Sequence, residues 1–250
     1  MPALYKIPRP TGFGTEATII SVPYSLGEKT PALVARPRGP LSNPDPQLTY
    51  EEFRQLVLDK QIARKSAQGK AYFPPVPPDE LETVEGNYKM RRGAAGRGRD
   101  LLAAARAALA DAKSADDAKA NKTSSLGVCS AYRAYDYDAA RWRETFKKLY
   151  DKMRAKSLYV GQEHGTAAAN YMLQKILPLK APPGFSNHSN GKAVDFRTMH
   201  AGTDYVADSE QREGWRTTWL HGWLVENAAD YGFKPLASEE WHWDYDGNNG

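Results

Sequence analysis

The chain has 250 residues, 41% hydrophobic and 26% charged, with a net charge of +4 at pH 7. Those totals suit a globular protein of one large domain, or one domain plus an extension, and do not make nucleic acid an expected partner. No apolar run reaches the ~18–20 residues of a transmembrane helix, and a single cysteine, Cys129, excludes an internal disulfide and a Cys-rich structural metal site.

The first third differs in composition from the rest. Residues 1–84 hold 13 of the 17 prolines and none of the six tryptophans. The N-terminus has no apolar h-region and no cleavage-site pattern, so no secretory signal is expected. Residues 17–22 and 32–35 are rich in β-branched residues and read as short strands. Residues 37–46 are too interrupted by proline for either regular structure. Thr49 followed by Glu52 forms a capping-box signature, opening a helix with Phe53, Leu56, Val57 and Ile62 on one face. Residues 73–79, Phe-Pro-Pro-Val-Pro-Pro-Asp, read as a stiff extended linker. Residues 1–84 are therefore expected to be a Pro-rich extension or accessory segment. It would act as a packing arm or as a docking segment, and residues 85–250 would form the main domain.

In that second part, the basic, Gly-rich run 90–99 lacks the phosphate-loop pattern and reads as a solvated turn. Asp100 is placed as the cap of an Ala-rich helix over residues 101–118. Residues 126–132 read as a buried strand, with Cys129 as a buried, inert thiol. Asp138 is expected to cap a helix over 139–155, with Trp142, Phe146, Leu149, Tyr150 and Met153 on one face. Further helices are expected over 163–177 and 209–231, the latter with a core stripe of Trp215, Trp219 and Trp223. Short strands are expected over 193–198 and 241–245. Separated strands among helices predict an α+β fold, a small antiparallel sheet with helices packed on it.

Two stretches carry chemistry. In residues 186–195, His188 and Asp195 lie seven apart, with turn-forming residues between them and Gly191 free to turn without a Cβ. On a strand, Asp195 faces one side and Val194 and Phe196 the other. In residues 239–245, His242 and Asp244 share a strand face, and Glu239 precedes His242 by three. Two histidines, one aspartate and a spare glutamate are the components of a hydrolytic zinc site with a general base. Glu240 is the alternative base. His164, His200 and His221 read as packing or surface residues, with His200 close enough to Asp195 to be a lesser candidate for supporting it.

Ser186-x-His188-x-x-Gly191-x-Ala193-x-Asp195, followed by Glu239-x-Trp241-His242, resembles the paired signature of the VanY-type D-alanyl-D-alanine carboxypeptidases. That family belongs to a fold group shared with lysostaphin-type peptidases and the hedgehog domain. A third block, Ser130-Ala131-Tyr132-Arg133-Ala134-Tyr135, resembles the family's Ser-Gly-Tyr-Arg-Ser block. The resemblance implies that His188, Asp195 and His242 bind Zn2+ and that Glu239 is the catalytic acid/base. It implies that Arg133 holds the substrate carbonyl oxygen or a substrate carboxylate, with Ser186 and Ser130 at the substrate side. Ala131 and Ala134 depart from the family's glycine and serine, and the glutamine often found after that block is not evident. These departures touch substrate choice.

The implied activity is zinc-dependent cleavage of peptidoglycan stem peptides by a D,D- or L,D-carboxypeptidase. The alternatives are an endolysin-type endopeptidase and a non-catalytic zinc-binding module. The expected partners are peptidoglycan peptides and, from the missing export signal, a secretion or phage-lysis apparatus. A delivered toxin or a lysin acting in the periplasm or cell wall would fit.

Overall fold

The computed structural model describes residues 48–247. The strands expected at 17–22 and 32–35 and the broken segment 37–46 lie outside the described residues. Helix α1 (Tyr50–Ala67) starts where its capping box predicts. The Thr49 side chain accepts from the Glu52 N–H, and the Glu52 carboxylate accepts from the Thr49 N–H at 2.8 Å. Its buried face carries Phe53 and Val57, but its third member is Gln61 rather than the expected Ile62. Gln61 is tolerated there because both ends of its amide are satisfied: Trp142 Nε1 donates to Oε1 at 2.7 Å, and Nε2 donates to the Lys180 carbonyl at 2.6 Å. The proline-rich run 73–77 is neither helix nor strand, and its Phe73 N–H donates to the Gly184 carbonyl.

A hairpin that the sequence reading did not anticipate follows, β1 (Leu81–Glu85) and β2 (Tyr88–Arg91), paired antiparallel. The boundary expected between residues 84 and 85 falls within β1. Helix α2 (Arg92–Ser114) begins at once, so the Gly-rich run is two helical turns and not a solvated turn. The glycine is there for close approach. A Cβ on Gly98 would stand 2.8 Å from Val84 Cγ2. The arginines of this run are tied to the chain around them: Arg99 donates to the Thr83 carbonyl and Arg97 to the Asp230 carbonyl.

After the short helix α3 (Ala118–Asn121) come β3 (Thr123–Ser130), α4 (Tyr135–Ala155) and α5 (Thr166–Ile176). Asp138 is not the cap of α4; the helix starts three residues earlier, and Asp138 lies inside its first turn, buried. Next are β4 (Ala193–His200) and β5 (Thr203–Tyr205). The helix expected over 209–231 is divided into α6 (Arg212–Trp215) and α7 (Trp219–Asn227), flanked by 3-10 turns. Thr218 makes the break: its hydroxyl accepts from the His221 N–H and donates to the Trp215 carbonyl, the signature of a new N-terminus. Trp215 is fully buried, while Trp219 and Trp223 stack on each other, partly exposed. The chain ends with β6 (Phe233–Leu236) and β7 (Glu239–Tyr245).

The main sheet is antiparallel, in the order β3-β4-β7-β6, with β5 paired to β4. The expected α+β class, a small antiparallel sheet with helices packed on it, is the observed one. Alternation along β4 and β7 sends Val194, Phe196, Trp241 and Trp243 into a core shared with α2 and α7. A second core unites α1, α4 and α5 around Phe53, Val57, Trp142, Phe146, Met153 and Met172. No helix among the described residues is long and apolar enough to cross a membrane.

Candidate metal centre

The site lies on the face of β4 and β7 opposite the first core. Asp195 and His242 are direct cross-strand partners in the β4–β7 register, and Ser130 at the end of β3 is paired with Asp195 on its other side. A register irregularity between Val128 and Ser130 resets that edge beside the site. His188 arrives from the loop before β4. Gly191 (φ +72°) turns that loop, and a Cβ there would meet Arg91, whose N–H donates to the Gly191 carbonyl at 2.8 Å. The turn therefore needs glycine for its left-handed backbone and for the space beside it.

His188, Asp195 and His242 converge, all buried. His188 Nε2 is 3.2 Å from Asp195 Oδ1 and 3.1 Å from His242 Nδ1, and His242 Nδ1 is 2.9 Å from Asp195 Oδ1. Donors about 2.0–2.1 Å from a tetrahedral ion stand about 3.3 Å apart, so this triangle has the size of one face of such a site. The outward nitrogens are held too. His188 Nδ1 lies 2.7 Å from the Ala131 carbonyl, and His242 Nε2 lies 2.9 Å from Asp244 Oδ1. A carbonyl cannot donate, so His188 keeps its proton on Nδ1 and presents Nε2 as a lone pair.

Electrostatics favour a cation at this point. Burial alone would raise the Asp195 carboxyl, but His188 and His242 hold it well below the usual carboxylate range. Burial lowers the His188 imidazole, which keeps that ligand neutral. Burial also opposes charge on His242, yet its bonds to Asp195 and Asp244 raise it to about 9. His242 Nδ1, turned to Asp195, is the donor that would face a metal cation. The donor set, two imidazole nitrogens and a carboxylate oxygen, fits zinc.

Arg133 sits beside the triangle. Its Nη2 donates to Ser186 Oγ at 3.3 Å and its Nη1 to Ser130 Oγ at 3.5 Å. Nε lies 3.2 Å from Asp138 Oδ1, and Nη1 3.8 Å from Asp195 Oδ2. Ser186 also accepts from the His188 N–H at 3.3 Å, so it braces both the arginine and the metal loop. Sequence reasoning missed Asp138. It pairs with Arg133 and accepts from Ser189 Oγ at 2.8 Å, joining α4 to the His188 loop. Its position in an otherwise amphipathic helix, on the buried side, was the only available signal.

The two glutamates separate clearly. Glu240 is clasped by Arg212 and Arg216 at 2.6–3.3 Å, and these bonds hold it down to about 2. Glu239, half-buried at the start of β7, forms no ion pair among the described residues and lies within the electrostatic reach of Lys180. His200 does not support Asp195. It is at the far end of β4, bonded to Thr123 Oγ1 at 2.8 Å. His164 packs on Phe53 and bonds to Tyr150. Cys129 is partly buried, its thiol pushed up to about 11 mainly by burial.

The chain was compared with known proteins. A search of curated proteins gives no match. Among solved structures, VanYB in complex with D-alanine-D-alanine is 22% identical, over 69% of this chain and 82% of that chain, at a TM-score of 0.43. A vancomycin-resistance D,D-pentapeptidase VanY in complex with Zn(II) is 23% identical, over 69% and 83%, at 0.39. The LD-carboxypeptidase LdcB is 22% identical, over 68% and 69%, at 0.43. The family model described as VanY, D-alanyl-D-alanine carboxypeptidase, matches residues 100–248. That match spans more than half of the chain and contains the His188–Asp195–His242 triangle, Arg133 and Glu239: this chain belongs to the VanY D-alanyl-D-alanine carboxypeptidase family.

Proposed function

We propose that the protein is a zinc-dependent carboxypeptidase that removes a terminal D-amino acid from peptidoglycan stem peptides. The observation that carries this reading is the donor triangle of His188, Asp195 and His242, with its outward imidazole nitrogens already bound. Zinc held by these three side chains supplies Lewis acidity toward a peptide carbonyl and acidifies a water molecule. Glu239 takes the proton of the attacking water and returns it to the leaving amine. Arg133, moored by Ser130, Ser186 and Asp138, donates to the carbonyl oxygen as negative charge develops there. Its mooring means that no reorganisation is needed at that moment. The catalytic domain takes in the whole β1–β2 hairpin and the elements that follow it. The described part of the preceding segment serves it as a packing arm, through α1 and the proline-rich run that meets Gly184.

The test is digestion of purified peptidoglycan by the zinc-loaded protein, with products identified by mass. Release of a single terminal D-alanine is the expected result. Internal cleavage of the stem or cross-link would identify an endopeptidase instead, and intact substrate in the presence of bound zinc would identify a non-catalytic module. A peptidoglycan substrate fits action in the periplasm or cell wall. Delivery as a cell-wall toxin or a lysin extends this reading. Lysis of cells that export the chain to the periplasm, with no effect from cytoplasmic expression, would support it.

A further inference from the structure

Two of the three donors are placed by strands. Asp195 and His242 face each other in the β4–β7 register, and His188 alone comes from a loop. The spacing of the triangle therefore depends on what holds that loop. Two holds are present, and both come from β2. Lys89 and Arg91 lie two apart on this strand, so their backbone polar groups point to the same edge. There the Lys89 carbonyl accepts from the Tyr132 N–H at 2.8 Å, and the Arg91 N–H donates to the Gly191 carbonyl at 2.8 Å. The Tyr132 N–H belongs to the same planar peptide group as the Ala131 carbonyl, which lies 2.7 Å from His188 Nδ1. That peptide is a relay: Lys89 fixes one end of it, and the other end fixes the imidazole. Hydrogen bonds in series through one peptide polarise each other.

Arg91 makes the second hold with its side chain as well as its main chain. Its Nε donates to the Asn190 carbonyl at 2.9 Å, beside the main-chain bond to Gly191. Asn190 and Gly191 form the turn between His188 and Asp195. The Gly191 N–H donates to the His188 carbonyl at 3.1 Å, so the turn closes on the ligand itself. Glycine at φ +72° has more backbone freedom than other residues, and binding two successive carbonyls to one arginine removes it. The guanidinium is aimed by Glu80, which pairs with Nη1 from the turn before β1. Arginine suits this place because it offers one donor near the stem and others at the end of the fork. Glu80 and Arg91 both precede residue 100, where the family match begins, so the brace is built from residues outside the matched stretch.

We propose that Arg91 is a positioning residue of the metal centre. Bound to the Asn190 and Gly191 carbonyls and aimed by Glu80, it holds the His188 loop at the spacing that completes the donor triangle. It acts through the loop and not on the substrate. The inference rests on the assignment of His188, Asp195 and His242 as zinc ligands.

The test compares wild type, Arg91→Met, Arg91→Lys and Glu80→Gln. Zinc-loaded protein is titrated with a chromophoric chelator, and urea unfolding is followed with excess chelator present. Methionine keeps an unbranched stem against Gly191 and the main-chain bond, but it removes the donor to Asn190 and the pair with Glu80. Arg91→Met is expected to weaken zinc affinity by about tenfold, the lower end of the effect of an outer partner. Arg91→Lys, with a donor at the end of its stem, should recover part of the loss. Glu80→Gln changes an exposed side chain. It should weaken zinc affinity by about two- to fivefold and leave the urea midpoint of the metal-free protein unchanged. A merely structural contact would instead shift the urea midpoint and leave zinc affinity as in wild type. Wild-type affinity in Arg91→Met would overturn the inference and leave the zinc site standing. So would a loss in Arg91→Met that comes with unfolding of the metal-free chain and has no counterpart in Glu80→Gln. A wild type that holds no zinc would overturn the site and the inference together.

Discussion

The donor atoms of His188, Asp195 and His242 take their spacing from one cross-strand pair and one glycine turn, and their orientation from groups outside the triangle. Asp244 is the clearest case. It binds no metal in this reading, but it fixes the outward nitrogen of His242 at 2.9 Å. Asp244→Ala is expected to weaken zinc affinity by about 10–100-fold, measured by competition with a chromophoric chelator, because the ring loses the partner that orients it. Unchanged affinity would show that the strand alone orients His242. Glu239→Gln should leave zinc bound at wild-type stoichiometry while reducing kcat by about 10²–10⁴-fold. Full activity in that variant would remove Glu239 from the mechanism. Glu240 cannot substitute for it as base, since Arg212 and Arg216 hold its carboxylate ionised and occupied.

At the scale of elements, period-two alternation was the most legible signal. It placed Asp195 and His242 on one face of their strands and Val194, Phe196, Trp241 and Trp243 on the other, as observed. Punctuation by glycine was less legible, because a glycine can mark a turn or a close contact. The run 90–99 reads as a turn by composition, yet from Arg92 on it is helical, with α2 packed against the β1–β2 hairpin and Gly98 against Val84. This gives a prediction opposite to intrinsic propensity. Gly98→Ala, which on an open helix would stabilise by up to about 1 kcal/mol, should here destabilise by about 1–3 kcal/mol in urea unfolding. The loss should be smaller in a Val84→Ala background. A stabilised Gly98→Ala protein would mean that the helix–hairpin contact is looser than the structure has it. The long helix expected over 209–231 failed for a related reason: hydrophobic periodicity continues through Thr217 and Thr218, and only the side-chain bonds of Thr218 reveal the break.

At the scale of the molecule, a polar bridge ties the second core to the segment that leads into the His188 loop. Gln61 on α1 bridges Trp142 of α4 and the carbonyl of Lys180. Gln61→Leu would leave two polar groups without partners, each costing about 1–3 kcal/mol where it is buried. Chemical denaturation should therefore show a loss of about 2–4 kcal/mol. A variant as stable as wild type would show that packing of Phe53 and Val57 suffices to seat α1.

Local chemistry was readable from the chain itself: the capping box of α1, the alternation of β4 and β7, the turn at Gly191, and the His188–Asp195 and Glu239–His242 spacings. Each of these depends on residues within about one strand or one helical turn of each other, where backbone geometry links sequence separation to direction in space. The role of Asp138, the bridge through Gln61 and the division of labour between Glu239 and Glu240 needed the tertiary structure. Apart from the Arg133–Asp138 pair, five residues apart, their partners lie tens of residues away, from 24 for Arg216–Glu240 to 119 for Gln61–Lys180. Over such distances only the packed fold decides which polar groups meet.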